Sequence, residues 1–130
     1  MNDSLLLDTS VVIWILEGSS RVSRRAVGAL FDPSKTLIVS VVSVWEIILK
    51  HQAHKLELST RLSAAVDLIM HESPWSMLPL TAEALRILTE LPLLHKDPFD
   101  RILVAQARHE GLTIVTPDAH IRKYDVPTLW

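Results

Sequence analysis

Short apolar runs rich in β-branched residues alternate along the chain with longer segments whose apolar positions recur every three to four residues. The short runs read as buried strands and the longer segments as amphipathic helices. A first strand is predicted over Ser4–Leu7. A helix follows from Ser10 to Leu16, with Thr9 or Ser10 as its cap, and a second helix runs from Ser20 to Phe31. After the turn "DPSK", "TLIVS" (Thr36–Ser40) reads as a buried strand, followed by a helix from Ser43 to His54 and another from Thr60 to Met70. A short strand over Ser76–Leu80 leads to a helix capped by Thr81 that ends near Leu91. The best-punctuated helix comes next, with Asp97 as N-cap, Pro98 at its first position and Gly111 just past its end. "LTIVT" (Leu112–Thr116) is the last buried strand, and "VPTLW" adds a weak edge strand, because Pro127 cannot donate a ladder hydrogen bond. Strand–helix alternation of this kind predicts an α/β fold with helices covering a mainly parallel sheet.

The polar residues that interrupt this pattern fall at matching places. Asp8 ends the first strand, Glu46 lies in the first predicted turn after the second, Asp100 in the first turn of the Asp97-capped helix, and Asp118 just after the last buried strand. In a parallel sheet the carboxyl ends of the strands and the starts of the next helices line one crevice, so the four acids are expected to converge. Clustered carboxylates repel one another and raise each other's pKa unless a cation sits among them. All-oxygen ligation suits Mg²⁺ or Mn²⁺, and such an ion supports hydrolysis of a phosphodiester.

Each acid also has a plain structural role open to it. "SVWE" from Ser43 reads as a capping box in which Glu46 bonds the Ser43 N–H. Asp97 reads as a helix cap, Asp100 as a partner of the helix dipole, and Asp118 in "TPDAH" as a turn residue. Asp8 has the weakest such explanation, since a charge directly after a buried strand needs a partner.

Composition narrows the chemistry further. The chain of 130 residues is read as one domain spanning 1–130, with 48% apolar and 22% charged residues. It has no Cys, so candidate metal ligands are carboxylates and the six His. The net charge of −2 gives no global basic field. Local clusters, Arg21, Arg24 and Arg25, then Lys50, His51, His54 and Lys55, have the ordinary reading of solvated helix faces. The first apolar run is broken by Asp8 and stops at Glu17, too short to span a bilayer, so a cytoplasmic protein without membrane attachment is expected.

Lesser candidates surround the four acids. Ser10 and Thr116 carry hydroxyls able to orient a carboxylate or a bound water, and Arg101 is a candidate phosphate contact or partner of an acid. His95 stands in the loop before Asp97, and Trp45 lies beside Glu46, where its ring is available to stack on a base.

"LLLDTSVVIWIL", "VVSVWEIILK" and "HKDPFDRILVAQARHEGLTIVTPDAHI" together resemble the PIN-domain ribonucleases, in particular VapC-type toxins of toxin–antitoxin pairs, over nearly the whole chain. The resemblance implies a three-layer α/β/α sandwich with a central, mainly parallel sheet. It implies an endoribonuclease site at Asp8, Glu46, Asp100 and Asp118, with Asp8, Asp100 and Asp118 on Mg²⁺ or Mn²⁺, Thr116 as the hydroxyl ahead of the last acid, and Asp97 as a further acid nearby. It also implies an RNA substrate, a cognate antitoxin and a homodimer.

Two rivals remain open at this stage. One is a phosphotransfer domain with a phosphorylated strand-end Asp. Its haloacid-dehalogenase form wants a second Asp where Ser10 stands. The other is a non-catalytic protein-binding module in which the acids are only caps.

Overall fold

The computed structural model describes residues 3–130. Its strands are β1 (Ser4–Leu7), β2 (Thr36–Ser40), β3 (Ser76–Leu78), β4 (Thr113–Val115) and β5 (Thr128–Leu129). They form one parallel sheet in the order β3-β2-β1-β4-β5. The helices are α1 (Thr9–Leu16), α2 (Arg24–Leu30), α3 (Val41–Gln52), α4 (Leu62–Asp67), α5 (Ala82–Leu88) and α6 (Pro98–Glu110).

Alternation along the central strand divides these helices into two layers. Leu5 and Leu7 join a core with Val11 and Val12 of α1, Ala26 of α2 and Ile47 of α3. Leu6, between them, joins a second core with Leu103 and Val104 of α6 and, around it, Ile87 and Leu88 of α5. Successive strand side chains point to opposite faces, so one run of three leucines anchors both layers. The result is the expected three-layer α/β/α sandwich, and its parallel strands bring their carboxyl ends to one edge.

Several element boundaries differ from the sequence reading, each for a local reason. Asp8 itself, not Thr9 or Ser10, occupies the N-cap position of α1, without a capping side-chain bond. α2 starts at Arg24 because Ser23, not Ser20, accepts a hydrogen bond from the Ala26 N–H at 3.1 Å. α3 starts at Val41, directly after β2, because the Ser40 hydroxyl accepts from the Val42 N–H at 3.0 Å. The "SVWE" capping box therefore does not form, and Glu46 lies beyond the first turn. The helix expected to run to Met70 is α only to Asp67. It then continues as a π-helical turn over Leu68–Glu72, ending where Pro74 holds Ser73 in extended backbone. Pro79 likewise directly follows the shortened end of β3, and α5 ends at Leu88.

Candidate functional site

Asp8 leaves the end of β1 with its backbone N–H bonded to the Val115 carbonyl of β4 at 3.1 Å, and it is 3% exposed. Its Oδ2 accepts a hydrogen bond of 2.7 Å from Thr116 Oγ1. The same Thr116 oxygen accepts from the Asp118 N–H at 3.0 Å, so one buried hydroxyl ties the carboxylate of β1 to the turn that carries Asp118. Asp118 in turn accepts from the His120 N–H at 2.7 Å, which shapes that turn. Thr116 thus takes the orienting role expected of it. Ser10 does not, because its hydroxyl makes no side-chain bond to any acid among the described residues; its neighbour Thr9 instead donates to Ser43 Oγ at 2.9 Å and fastens α1 to α3.

Glu46 projects from α3 and is 3% exposed. Its Oε2 pairs with Lys50 Nζ at 2.8 Å, one helical turn on, whereas its Oε1 is the only buried side-chain oxygen or nitrogen among the described residues without a hydrogen-bond partner. A carboxyl oxygen buried without a donor is unfavourable, and a cation or a bound water is a group able to satisfy it.

The start of α6 supplies the remaining acids. Asp97 Oδ1 accepts from the Phe99 and Asp100 N–H groups at 2.9 and 3.1 Å, as its predicted capping role requires. Asp100 is 8% exposed, and its Oδ2 lies 3.2 Å from His95 Nε2. His95 Nδ1 lies 2.8 Å from the Tyr124 hydroxyl, which accepts from Arg101 at 3.0 Å. A guanidinium only donates, so the phenol oxygen accepts from Arg101, and the His95 ring bridges that phenol and the Asp100 carboxyl group. Burial, with the nearby His120, holds the His95 imidazole below its ordinary pKa, so this contact is a hydrogen bond of a neutral ring. Arg101 corrects its expected role. It is 9% exposed and is spent on Tyr124 and the Pro92 carbonyl at 2.8 Å, far from serving as a free phosphate contact.

The acids act on one another electrically. Burial raises Asp8 from 3.8 to about 6, the Thr116 hydroxyl opposes that rise, and the charges of Asp118 and Glu46 add to it. Burial raises Asp100 to about 8, with further contributions from Asp97, Asp8, Asp118 and Glu46. The four carboxylates singled out from the sequence, together with Asp97, therefore share one field at the carboxyl edge of the sheet. Among the described residues no three His, Asp or Glu side chains are already gathered as a coordination cage. Mg²⁺ is usually held by one or two carboxylates with several waters, so it does not require a ready-made cage of three side chains.

Sequence reasoning missed the His95–Tyr124–Arg101 chain and the Lys50 partner of Glu46. The second was legible, since Glu46 and Lys50 stand at i,i+4 on a predicted helix. The first was not, because Tyr124 reaches His95 across 29 positions.

The PIN domain model matches residues 5–127. The chain belongs to the PIN-domain family. The fold of this PIN domain is similar to that of VapBC2 from Rickettsia felis, solved bound to a promoter DNA fragment, with a TM-score of 0.70 at 14% identity over 98% of this chain and 99% of that one. DNA-bound VapBC from Salmonella typhimurium gives 0.69 at 16% identity, covering 98% and 97%. VapBC-5 from Mycobacterium tuberculosis, a member of the VapBC family of toxin–antitoxin systems, gives 0.62 at 16% identity, covering 97% and 95%. A search of curated protein sequences finds no significant match. Among the described residues no helix of this PIN domain is long and apolar enough to cross a membrane.

Proposed function

We propose that this PIN domain is an Mg²⁺- or Mn²⁺-dependent endoribonuclease and the toxin of a cytoplasmic toxin–antitoxin pair. The observation that carries the reading is the gathering of Asp8, Glu46, Asp100 and Asp118 in one largely buried, mutually repelling group, in which burial first and the neighbouring charges second raise Asp8 to about 6 and Asp100 to about 8. Such a site is unfavourable empty and ionised, and favourable around a divalent cation. Asp8, Asp100 and Asp118 would hold the ion, and the unpaired Oε1 of Glu46 is available to it or to its water. Bound there, a divalent ion supplies an activated water and screens the charge developing on phosphate. The chain's own part is positional: Thr116 fixes Asp8, His95 fixes Asp100, and Asp97 fixes the start of the helix that carries Asp100.

The toxin role is supported by the neighbours' description as toxin–antitoxin complexes, which also makes a cognate antitoxin the expected partner. A second copy is expected as well, and Leu85, Leu93 and Leu94, on α5 and the loop after it, are exposed apolar residues available to a protein partner. Calorimetric titration of Mn²⁺ into the metal-free protein, beside Asp8→Asn and Asp100→Asn, tests the site. Saturable binding weakened by both substitutions, with RNA cleavage lost in both, is expected. A wild type that neither binds Mn²⁺ nor cuts RNA would overturn the proposal in favour of a protein-binding module.

A further inference from the structure

A groove of about 450 Å³ opens from the acidic site along the exposed side of α3, and Glu46, Lys50, Lys55, Lys96, Asp97 and Phe99 are among the residues lining it. Its near end is acidic and belongs to the site already described. Basic residues line it as well: Lys55 and Lys96 are exposed, and neither makes an ion pair with any described residue. Lys55 is placed there by a specific turn. His54 takes a left-handed conformation (φ 57°), which is unfavourable by about 1–2 kcal/mol for a residue with a Cβ. This turn lets the Lys55 N–H return to the Lys50 carbonyl at 2.9 Å, folding the chain back toward the groove as α3 ends. Beside Lys96, the Phe99 ring meets Trp45 edge-on at a centroid distance of 5.1 Å, and Trp45 is 52% exposed.

We propose that this groove holds the single-stranded RNA on one side of the bond to be cut, with Lys55 and Lys96 on its phosphates and the Phe99 ring, braced edge-on by Trp45, against a base. The inference rests on the ribonuclease reading above and adds to it the path of the substrate. A polyanion with one phosphate at a metal and its neighbours on lysines matches a groove that carries unpaired lysines beside the acidic site. Lysine–phosphate contacts and ring stacking are tolerant of sequence, and they are the usual means of holding an unpaired strand. An acidic protein segment would match the lysines but meet Glu46 and Asp97 with no metal-bound phosphate to offer.

The test is fluorescence anisotropy with a labelled, unstructured, mixed-sequence RNA of about twelve nucleotides. It compares Asp100→Asn, a form expected to bind without cutting, with the same protein carrying K55Q and K96Q, over a salt series. Each single-strand phosphate contact contributes about 0.7 to the slope of log K against log salt, so the slope should fall by about 1.4 and the Kd rise roughly 25-fold at about 0.1 M salt. Both lysines are exposed, so thermal unfolding should be unchanged. An unchanged slope in a protein that binds RNA overturns the groove alone. Lysine-dependent RNA binding by a wild type that never cleaves with Mn²⁺ upholds the groove and overturns the nuclease reading. No RNA binding together with no RNA cleavage overturns both, and tighter, lysine-dependent binding of a polyglutamate peptide overturns the groove alone.

Discussion

Thr116 and Asp8 lie 108 positions apart and meet through one buried hydrogen bond, in which Thr116 Oγ1 donates to Asp8 Oδ2 at 2.7 Å. That hydroxyl is the one side-chain group opposing the rise in the Asp8 pKa, and it also accepts from the Asp118 N–H. Thr116→Val keeps the shape and removes both bonds. Urea unfolding should show a loss of about 1–3 kcal/mol, the usual result of leaving buried polar groups unpaired. Mn²⁺ affinity should fall with it, and Thr116→Ser should restore both.

The acids make stability of the metal-free protein depend on pH in an unusual direction. Unfolded, Asp8 and Asp100 ionise near their ordinary 3.8; folded, they do so near 6 and 8. Between those values the folded chain keeps protons that the unfolded chain has lost, so their stabilising contribution is complete below 3.8 and declines as pH rises through 6 and then 8. Ionising Asp8 alone is unfavourable by about 3 kcal/mol. Urea midpoints measured in chelator should fall for the wild type between pH about 6 and 8 and fall less for Asp100→Asn, which removes the upper titration.

Metal should reverse that order. Ligand carboxylates must be ionised, so Mn²⁺ affinity should rise across the same range. Saturating Mn²⁺ at pH about 8 should raise the wild-type Tm, by about 2.7 kcal/mol of stability at a hundredfold excess over Kd, and leave Asp8→Asn near its metal-free value. Equal stabilisation of the two proteins would place the ion elsewhere.

Lys50 is half exposed but holds a buried partner, Glu46 Oε2, at 2.8 Å. Lys50→Met removes the cation and leaves the carboxylate with no partner, which should destabilise the metal-free chain by about 1–3 kcal/mol. Added Mn²⁺ should recover part of the loss in thermal unfolding, because a metal replaces the missing charge. Glu46→Gln/Lys50→Met, lacking the charge to be compensated, should lose less than Lys50→Met alone.

Tyr124→Phe deletes the oxygen that joins Arg101 to His95. Arg101 then loses one of its two buried acceptors, and His95 loses the partner that sets its tautomer. A stability loss of about 1–3 kcal/mol is expected, with kcat for RNA cleavage reduced more than KM, since the ring that positions the Asp100 carboxyl group is freed.

The fold was legible because the strands are short, apolar and set between helices of clear period: β1 and β2 match their predicted bounds, and α6 follows its Asp97, Pro98 and Gly111 signals. The convergence of acids was legible through the parallel topology, which fixes where strand ends lie. Local competition was not. Ser40 and Ser43 are both chemically able to cap, and only the abrupt join between β2 and α3 makes Ser40 the cap and turns Ser43 to Thr9. The burial of Arg101 and the assembly around His95 depend on Tyr124, which reaches them only when the 3₁₀ turn at Ile121–Lys123 packs back on α6.

The position of β1 between β2 and β4 also sets a schedule. Asp8 is made more than a hundred positions before Asp118, and β4 beside it and the acid beyond that strand come only as synthesis reaches residue 118. A nascent or truncated chain that stops before β4 carries an incomplete centre, however well its first half folds. For a protein whose proposed substrate is RNA, the centre able to cut it is completed only after β4 and Asp118 have been made.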